Sequence, residues 1–202
     1  MDREIQQILE FWFGRLDAEG LPVEPMDKLW FGASSLTDSA IAQRFGGLHQ
    51  QAVAGQLDHW QETPEGRLAL IILIDQFSRN LYRGAPDAFR WDALALRLCK
   101  EGVEQGMDAL LSLSHKLFFY MPLQHSEELA DQHLGEALLE RMLPALQGEA
   151  RKKVADTLRF QQLHREIIEQ FGRFPHRNAV LSRASTPEEQ AYLEDGAPRF
   201  GQ

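Results

Sequence analysis

The chain has 202 residues, 44% of them hydrophobic, enough for one well-buried core and a single domain over 1–202. Its 30 acidic against 21 basic residues give a formal net charge of -9, the wrong sign for general binding to a phosphate backbone, so no nucleic-acid partner is expected. No basic leader precedes an apolar run, the longest such run (Leu68 to Ile74) is far short of the roughly 20 residues that span a membrane, and the lone Cys99 cannot form an internal disulfide, so a soluble, cytoplasmic protein without membrane association is expected.

Apolar residues recur at helical spacing almost throughout, with no sustained period-two alternation, so the fold class is all-α. Ile5, Ile8, Leu9 and Trp12 form one stripe of a helix from Arg3 to Phe13 that Gly14 stops. After a loop holding Gly20, Pro22 and Pro25, the stretch Ser35 to Leu57 carries Ile41, Phe45, Leu48, Ala52 and Val53 at helical spacing, with Gly46 and Gly47 expected to bend or split it. Thr63 before Pro64 is an N-cap with proline at the first helical position, which predicts a helix to about Tyr82. Another follows from Pro86 to Gln105. His115 to Tyr120 is apolar and helical, and Pro122 either kinks it or opens the next helix, which runs to about Leu143. The last large helix spans Glu149 to Phe171 and stops at Gly172, and Thr186, Pro187 and Glu189 make a capping box for a short closing helix. About seven or eight helices with short connections predict antiparallel helical hairpins, without a fixed-period repeat.

Polar side chains gather in the segments Asp75 to Arg83, Gln124 to Gln132 and Arg173 to Asn178. Leu68 to Ile74 is apolar on every face, so its helix is the central one. At about 100° per residue, Asp75, Gln76, Arg79, Asn80 and Arg83 continue the arc that Leu68, Ala69 and Ile72 occupy upstream. The arc turns polar either because the helix emerges into water or because it lines a polar pocket, and Asp75 and Arg79 also have the spacing of an intrahelical ion pair. His125, Glu128, Gln132 and Glu136 share a helical face beside Ser126 and Glu127. Histidine and glutamate three apart suit an acid–base pair or two metal ligands, but nothing completes a ligand set and no metal is expected. Arg173, His176, Arg177 and Asn178 lie in a loop stiffened by Pro175, inside a stretch from Arg159 to Arg183 with five arginines against two acids. Arginine forks suit carboxylates and phosphates. They equally suit ties from the loop to Glu127, Glu128 and Asp131. No nucleophile-elbow, nucleotide-loop or paired-cysteine pattern is present, so no cofactor is expected, and Trp12, Trp30, Trp60, Trp91 and Phe118 to Tyr120 read as core.

The runs Glu10 to Gly14 (EFWFG), Arg67 to Gly84 (RLALIILIDQFSRNLYRG), Phe119 to Glu127 (FYMPLQHSE) and Phe171 to Asn178 (FGRFPHRN), in this order, resemble the signature blocks of the bacterial family catalogued as domain of unknown function 924. The resemblance extends from about Ile5 to Leu193. It implies a tetratricopeptide-repeat-like helical superfold and no settled activity. Two departures from the family pattern are small: Ser78 stands where the family often has proline and Ser182 where it often has glycine, and the second could alter the backbone just after the arginine loop, so less weight falls on Arg183.

These segments lead to the expectation of a pocket for a small anionic or carboxylate-bearing ligand, or a peptide end. Arg79, Arg83, Arg173 and Arg177 would hold the anion, His125 and His176 would adjust it with pH, and Asp75, Gln76, Asn80 and Asn178 would orient the arginines, with Ser126 and Glu127 alongside. Two alternatives stand beside it. One is a hydrolase using His125 or His176 as general base, oriented by Glu127 or Glu128, with or without a metal. The other is a protein-interaction scaffold whose polar network is structural. Neither a reaction nor an oligomeric state follows from the sequence.

Overall fold

A computed structural model gives the architecture and describes residues 2–196. Helix α1 (Arg3–Phe13) buries Ile5, Ile8, Leu9, Trp12 and Phe13 on one face, starts at Asp2, whose side chain accepts from Glu4 N, and ends at Gly14 with φ 62. A short turn of helix, α2 (Asp27–Phe31), follows the loop and buries none of its residues. It was not foreseen, because five residues are too few to show a period. Helix α3 (Ser35–Val53) runs unbroken through Gly46 and Gly47. Each glycine costs a helix about 1 kcal/mol, but Ile41, Phe45, His49 and Ala52 bury one face of α3, and such packing rather than propensity supplies most helix stability.

Thr63 Oγ1 accepts from Gly66 N at 3.2 Å and starts α4 (Pro64–Ile71). The chain then passes through a π-helical turn, Ile72–Phe77, into α5 (Ser78–Leu81). Every residue from Gly66 to Ser78 is buried, so this is the central helix that the apolar run predicted. A π-turn widens the helix by one residue and re-aims the side chains around it. Asp75 and Gln76 fall inside it.

The remaining helices are α6 (Asp92–Glu104), α7 (Leu113–Phe119), α8 (Met121–His125), α9 (Leu129–Met142), α10 (Gly148–Phe171) and α11 (Pro187–Glu194). Pro122 opens α8 rather than kinking α7. Helices α9 and α10 form an antiparallel hairpin: Arg151 donates to Leu143 O at its closed end, and Gln161 Nε2 donates to Gln132 Oε1 at 2.6 Å farther along. Thr186 and Glu189 make the expected capping box of α11. The main core gathers the buried faces of α1, α3, α4, α6 and α7, with Trp12 edge-on to Phe77 and Phe118. A smaller cluster of Ile167, Ile168 and Phe174 lies beneath the loop after α10. In that loop Ser182 adopts φ 55, the left-handed conformation in which glycine meets no Cβ penalty. The backbone therefore keeps a glycine-like course, and Arg183 N still closes the loop on Asn178 O at 2.8 Å. Among the described residues there is no strand beyond the isolated bridge Leu16–Pro22, and no helix is long and apolar enough to cross a membrane.

Candidate functional site

The π-turn places the carboxylate of Asp75, fully buried, among polar partners. Its Oδ1 accepts from His125 Nδ1 at 2.8 Å and lies 3.1 Å from Arg79 Nη1, while its Oδ2 accepts from Gln76 Nε2 at 2.6 Å. A carboxylate only accepts, so the Gln76 nitrogen faces inward and the His125 proton sits on Nδ1. Burial pushes the Asp75 carboxyl up, but Arg79, the His125 contact and the Gln76 hydrogen bond outweigh it and hold the group well below the ordinary range. Burial first and the Arg79 charge second push His125 below its ordinary value, against the pull of Asp75. At neutral pH the pair is thus a carboxylate and a neutral imidazole whose Nε2 is a bare acceptor.

Arg79 is held on its other side by a bidentate pair with Asp92, both contacts 3.1 Å, and it also donates to Asp75 O at 2.7 Å. Arg177 donates through Nη1 to His125 O at 3.1 Å, with Asp92 Oδ2 at 3.5 Å. Its guanidinium lies over both the Phe89 and Phe174 rings, 4.7 and 4.5 Å from their centroids. Burial and the neighbouring Arg79 charge lower its pKa to about 10. Asp92 was missed in the sequence, where an acid in the first turn of a helix is what the helix dipole favours in any case.

The other expected site residues have separate tasks. Arg83 makes a bidentate pair with Asp38 of α3 (2.8 and 2.9 Å), and Asn80 Nδ2 donates to the same carboxylate at 2.8 Å. Arg173 pairs with Glu189 (2.6 and 2.8 Å), and Asn178 Nδ2 also reaches Glu189 at 3.1 Å, so these two side chains fasten α11. Arg183 forms the tie to Glu127 (2.7 and 2.9 Å). His176 lies 5.6 Å from the Phe174 ring, and burial lowers its pKa to about 4. Ser126 Oγ donates to Asp131 Oδ2 at 2.8 Å, and Glu128 is an exposed N-cap. The helical face expected to carry His125, Glu128, Gln132 and Glu136 is not formed, because the chain breaks between α8 and α9 at Ser126 to Glu128. Gln132 holds that break: its fully buried Nε2 donates to Leu123 O, Gln124 O and Ser126 O at 3.3, 2.9 and 2.7 Å. Among the described residues no three His, Cys, Asp or Glu side chains are grouped to hold a metal ion.

Two clefts meet at His125. The first, about 380 Å³, is walled by Gln76, Arg79, Asn80 and Arg83 from the central helix and its end, by Met121, Gln124 and His125 from α8, by Thr157, Phe160 and His164 from α10, and by Trp30 and Phe31 from α2. No aspartate or glutamate lines it. Asp75, Asp92 and Asp38, the partners of its two arginines, contact them from outside the lining. Phe31 and Phe160 are 58% and 54% exposed, so a buried polar floor lies under a half-exposed aromatic mouth. Trp30, expected in the core, does both jobs: it packs 4.8 Å from Phe118, donates Nε1 to Trp12 O at 2.7 Å, and lines this cleft. The second cleft, about 370 Å³, is lined by Arg90, Asp92, Ser126, Glu127 and Arg177 among others. The four arginines of the sequence expectation are therefore divided, with Arg79 and Arg83 in the first cleft, Arg177 in the second and Arg173 in neither.

Fold and site together define an all-α protein with an acid-free cleft, polar at its floor and apolar at its mouth, at the end of a buried central helix. The chain belongs to a family of bacterial proteins of unknown function, domain of unknown function 924, whose model matches residues 8–197. Its structure is similar to that of a protein of unknown function from Agrobacterium tumefaciens, with a TM-score of 0.77 and 35% sequence identity over 95% of this chain and 97% of that one. No curated protein matches the chain.

Proposed function

We propose that the first cleft binds a small amphipathic carboxylate, a head group that a peptide C-terminus also carries. The observation that carries this reading is a wall with two guanidiniums and no acid, in a protein of net charge -9. Asp92 and Asp38 hold Arg79 and Arg83 in fixed orientations, so little side-chain entropy is lost when a planar anion docks. Trp30, Phe31, Met121 and Phe160 offer apolar surface to a tail, worth about 0.8 kcal/mol per buried methylene. A cleft of about 380 Å³ lies within the usual small-molecule range of roughly 300–1,000 Å³.

Titration calorimetry with octanoate, acetate and octylamine tests this. Octanoate should bind, acetate more weakly for want of a tail, and octylamine not at all. Arg83→Gln should weaken octanoate about tenfold, near 1.4 kcal/mol. Arg173→Gln, which touches neither cleft, should lower the melting temperature and leave affinity unchanged. Equal binding of octanoate and octylamine, or no binding of octanoate, rejects the reading.

A further inference from the structure

The first cleft holds a group with the chemistry to act on its ligand as well as to hold it. His125 is locked through Nδ1 to Asp75, its side chain is 16% exposed, and it lines both clefts. Its Nε2 edge is therefore the basic one. The nearby hydroxyls are committed elsewhere: Ser126 Oγ donates to Asp131, and Thr157 Oγ1 to Lys153 O. Cys99 is buried, and burial pushes its thiol far above the ordinary range. The nucleophile left for a neutral imidazole to activate is water. A π-turn at the positioning carboxylate agrees with this, since such turns are retained disproportionately at functional sites.

We propose that the protein is an ester hydrolase in which His125 is the catalytic base, Asp75 its positioning residue, and the substrate an ester of the amphipathic acid assigned to this cleft. The inference rests on that ligand reading. His125 Nε2 takes a proton from water as the water oxygen bonds to the ester carbonyl carbon. The carbonyl π pair moves onto oxygen, where the guanidiniums of the cleft wall supply positive charge. The carbon–oxygen bond to the alcohol then breaks with its electron pair on the leaving oxygen, which takes the proton back from Nε2. One water is consumed, an acid and an alcohol leave, and His125 returns to its neutral form. The carboxylate product is the ligand the cleft is built to hold.

The charged and titratable groups around His125 are Asp75 and Arg79 of the central helix, Asp92 of α6, His164 of α10, and Arg177 and His176 of the following loop. Their net effect with burial keeps the imidazole neutral, so the rate should stay level through neutrality and fall only at pH below the ordinary histidine value of about 6.5.

The test is hydrolysis of p-nitrophenyl acetate, hexanoate and octanoate by the full chain from pH 5 to 8, with octanoate calorimetry on the same preparation. Expected are faster turnover of the longer esters, competitive inhibition by octanoate, and a fall of roughly 100-fold or more in His125→Gln. Asp75→Asn should lower kcat more than it raises KM and move the acid limb to lower pH, since the imidazole loses its carboxylate. Octanoate binding without ester hydrolysis overturns the hydrolase and leaves the ligand reading standing. Absence of both overturns both. Hydrolysis undiminished in folded His125→Gln overturns the hydrolase. Should that variant not fold, wild-type hydrolysis that octanoate does not inhibit overturns it too.

Discussion

Asp75 shows how far a single residue can be read. Its i, i+4 spacing to Arg79 was legible in the sequence, and the ion pair is present at 3.1 Å. Its contact with His125 was not legible, because the two lie 50 positions apart and sequence proximity pointed instead to Glu127 and Glu128 as partners of that histidine. Glu127 went to Arg183 and Glu128 to solvent. Ser182 makes a prediction at this scale. At φ 55 an L-residue carries a penalty of about 1–2 kcal/mol, which glycine avoids while losing some chain entropy on folding. Ser182→Gly should therefore stabilise the protein by up to about 1 kcal/mol, read as a higher urea midpoint at unchanged slope. A lower midpoint would show that the serine hydroxyl matters more than the backbone.

Among the elements, ends set by local chemistry were legible and breaks set by packing were not. Gly14, Thr63, Gly172 and Thr186 bound helices where expected, because a cap needs only the atoms of its own turn. The π-turn at Ile72–Phe77, the passage of α3 through Gly46 and Gly47, and the break after His125 answer to distant groups. Gln132 is the clearest case, since the two hydrogens of one amide nitrogen serve the Gln124 and Ser126 carbonyls at the end of α8, with Leu123 O also within reach. In Gln132→Leu the Gln124 and Ser126 carbonyls lose this donor, while Leu123 O keeps Ser126 N at 3.3 Å. The loss should cost about 2–4 kcal/mol and weaken octanoate binding through misplacement of His125. Denaturant melts and calorimetry measure the two effects. A fully stable Gln132→Leu with normal affinity would mean that the break holds itself.

For the whole molecule, histidines wholly or half shielded from water shape the response to acid. Burial lowers His49, His115 and His176 to about 4 and His164 to about 3. Their folded values lie below the unfolded value of about 6.5, so the unfolded chain takes up protons that the folded one refuses. That contribution is fully present above about pH 6.5 and is lost progressively as pH falls toward 4. Carboxylates add a later loss: the Arg173 hydrogen bond holds Glu189 at about 2, and Asp75 is also depressed, so their stabilisation persists until lower pH. The melting temperature should fall steadily between pH 6.5 and 4, at up to about 1.4 kcal/mol per pH unit for each histidine titrating only in the unfolded chain. A flat profile across that window would mean that these histidines protonate in place.

The sequence by itself determined the helical class, the buried central helix, most helix ends and the segments that carry the polar groups, because periodicity and capping are properties of neighbouring residues. Beyond the Asp75–Arg79 pair, whose i, i+4 spacing is local, only the tertiary structure decided which acid meets which base. It gave Arg79 a second acid in Asp92, Arg83 to Asp38 and Arg173 to Glu189, and it set Arg177 in the second cleft. Charge attraction has the same form for every Arg–Asp or Arg–Glu pair, so composition cannot choose among partners. Packing chooses, by fixing which helix ends come within a hydrogen bond of one another, and that choice left an acid-free cleft beside His125.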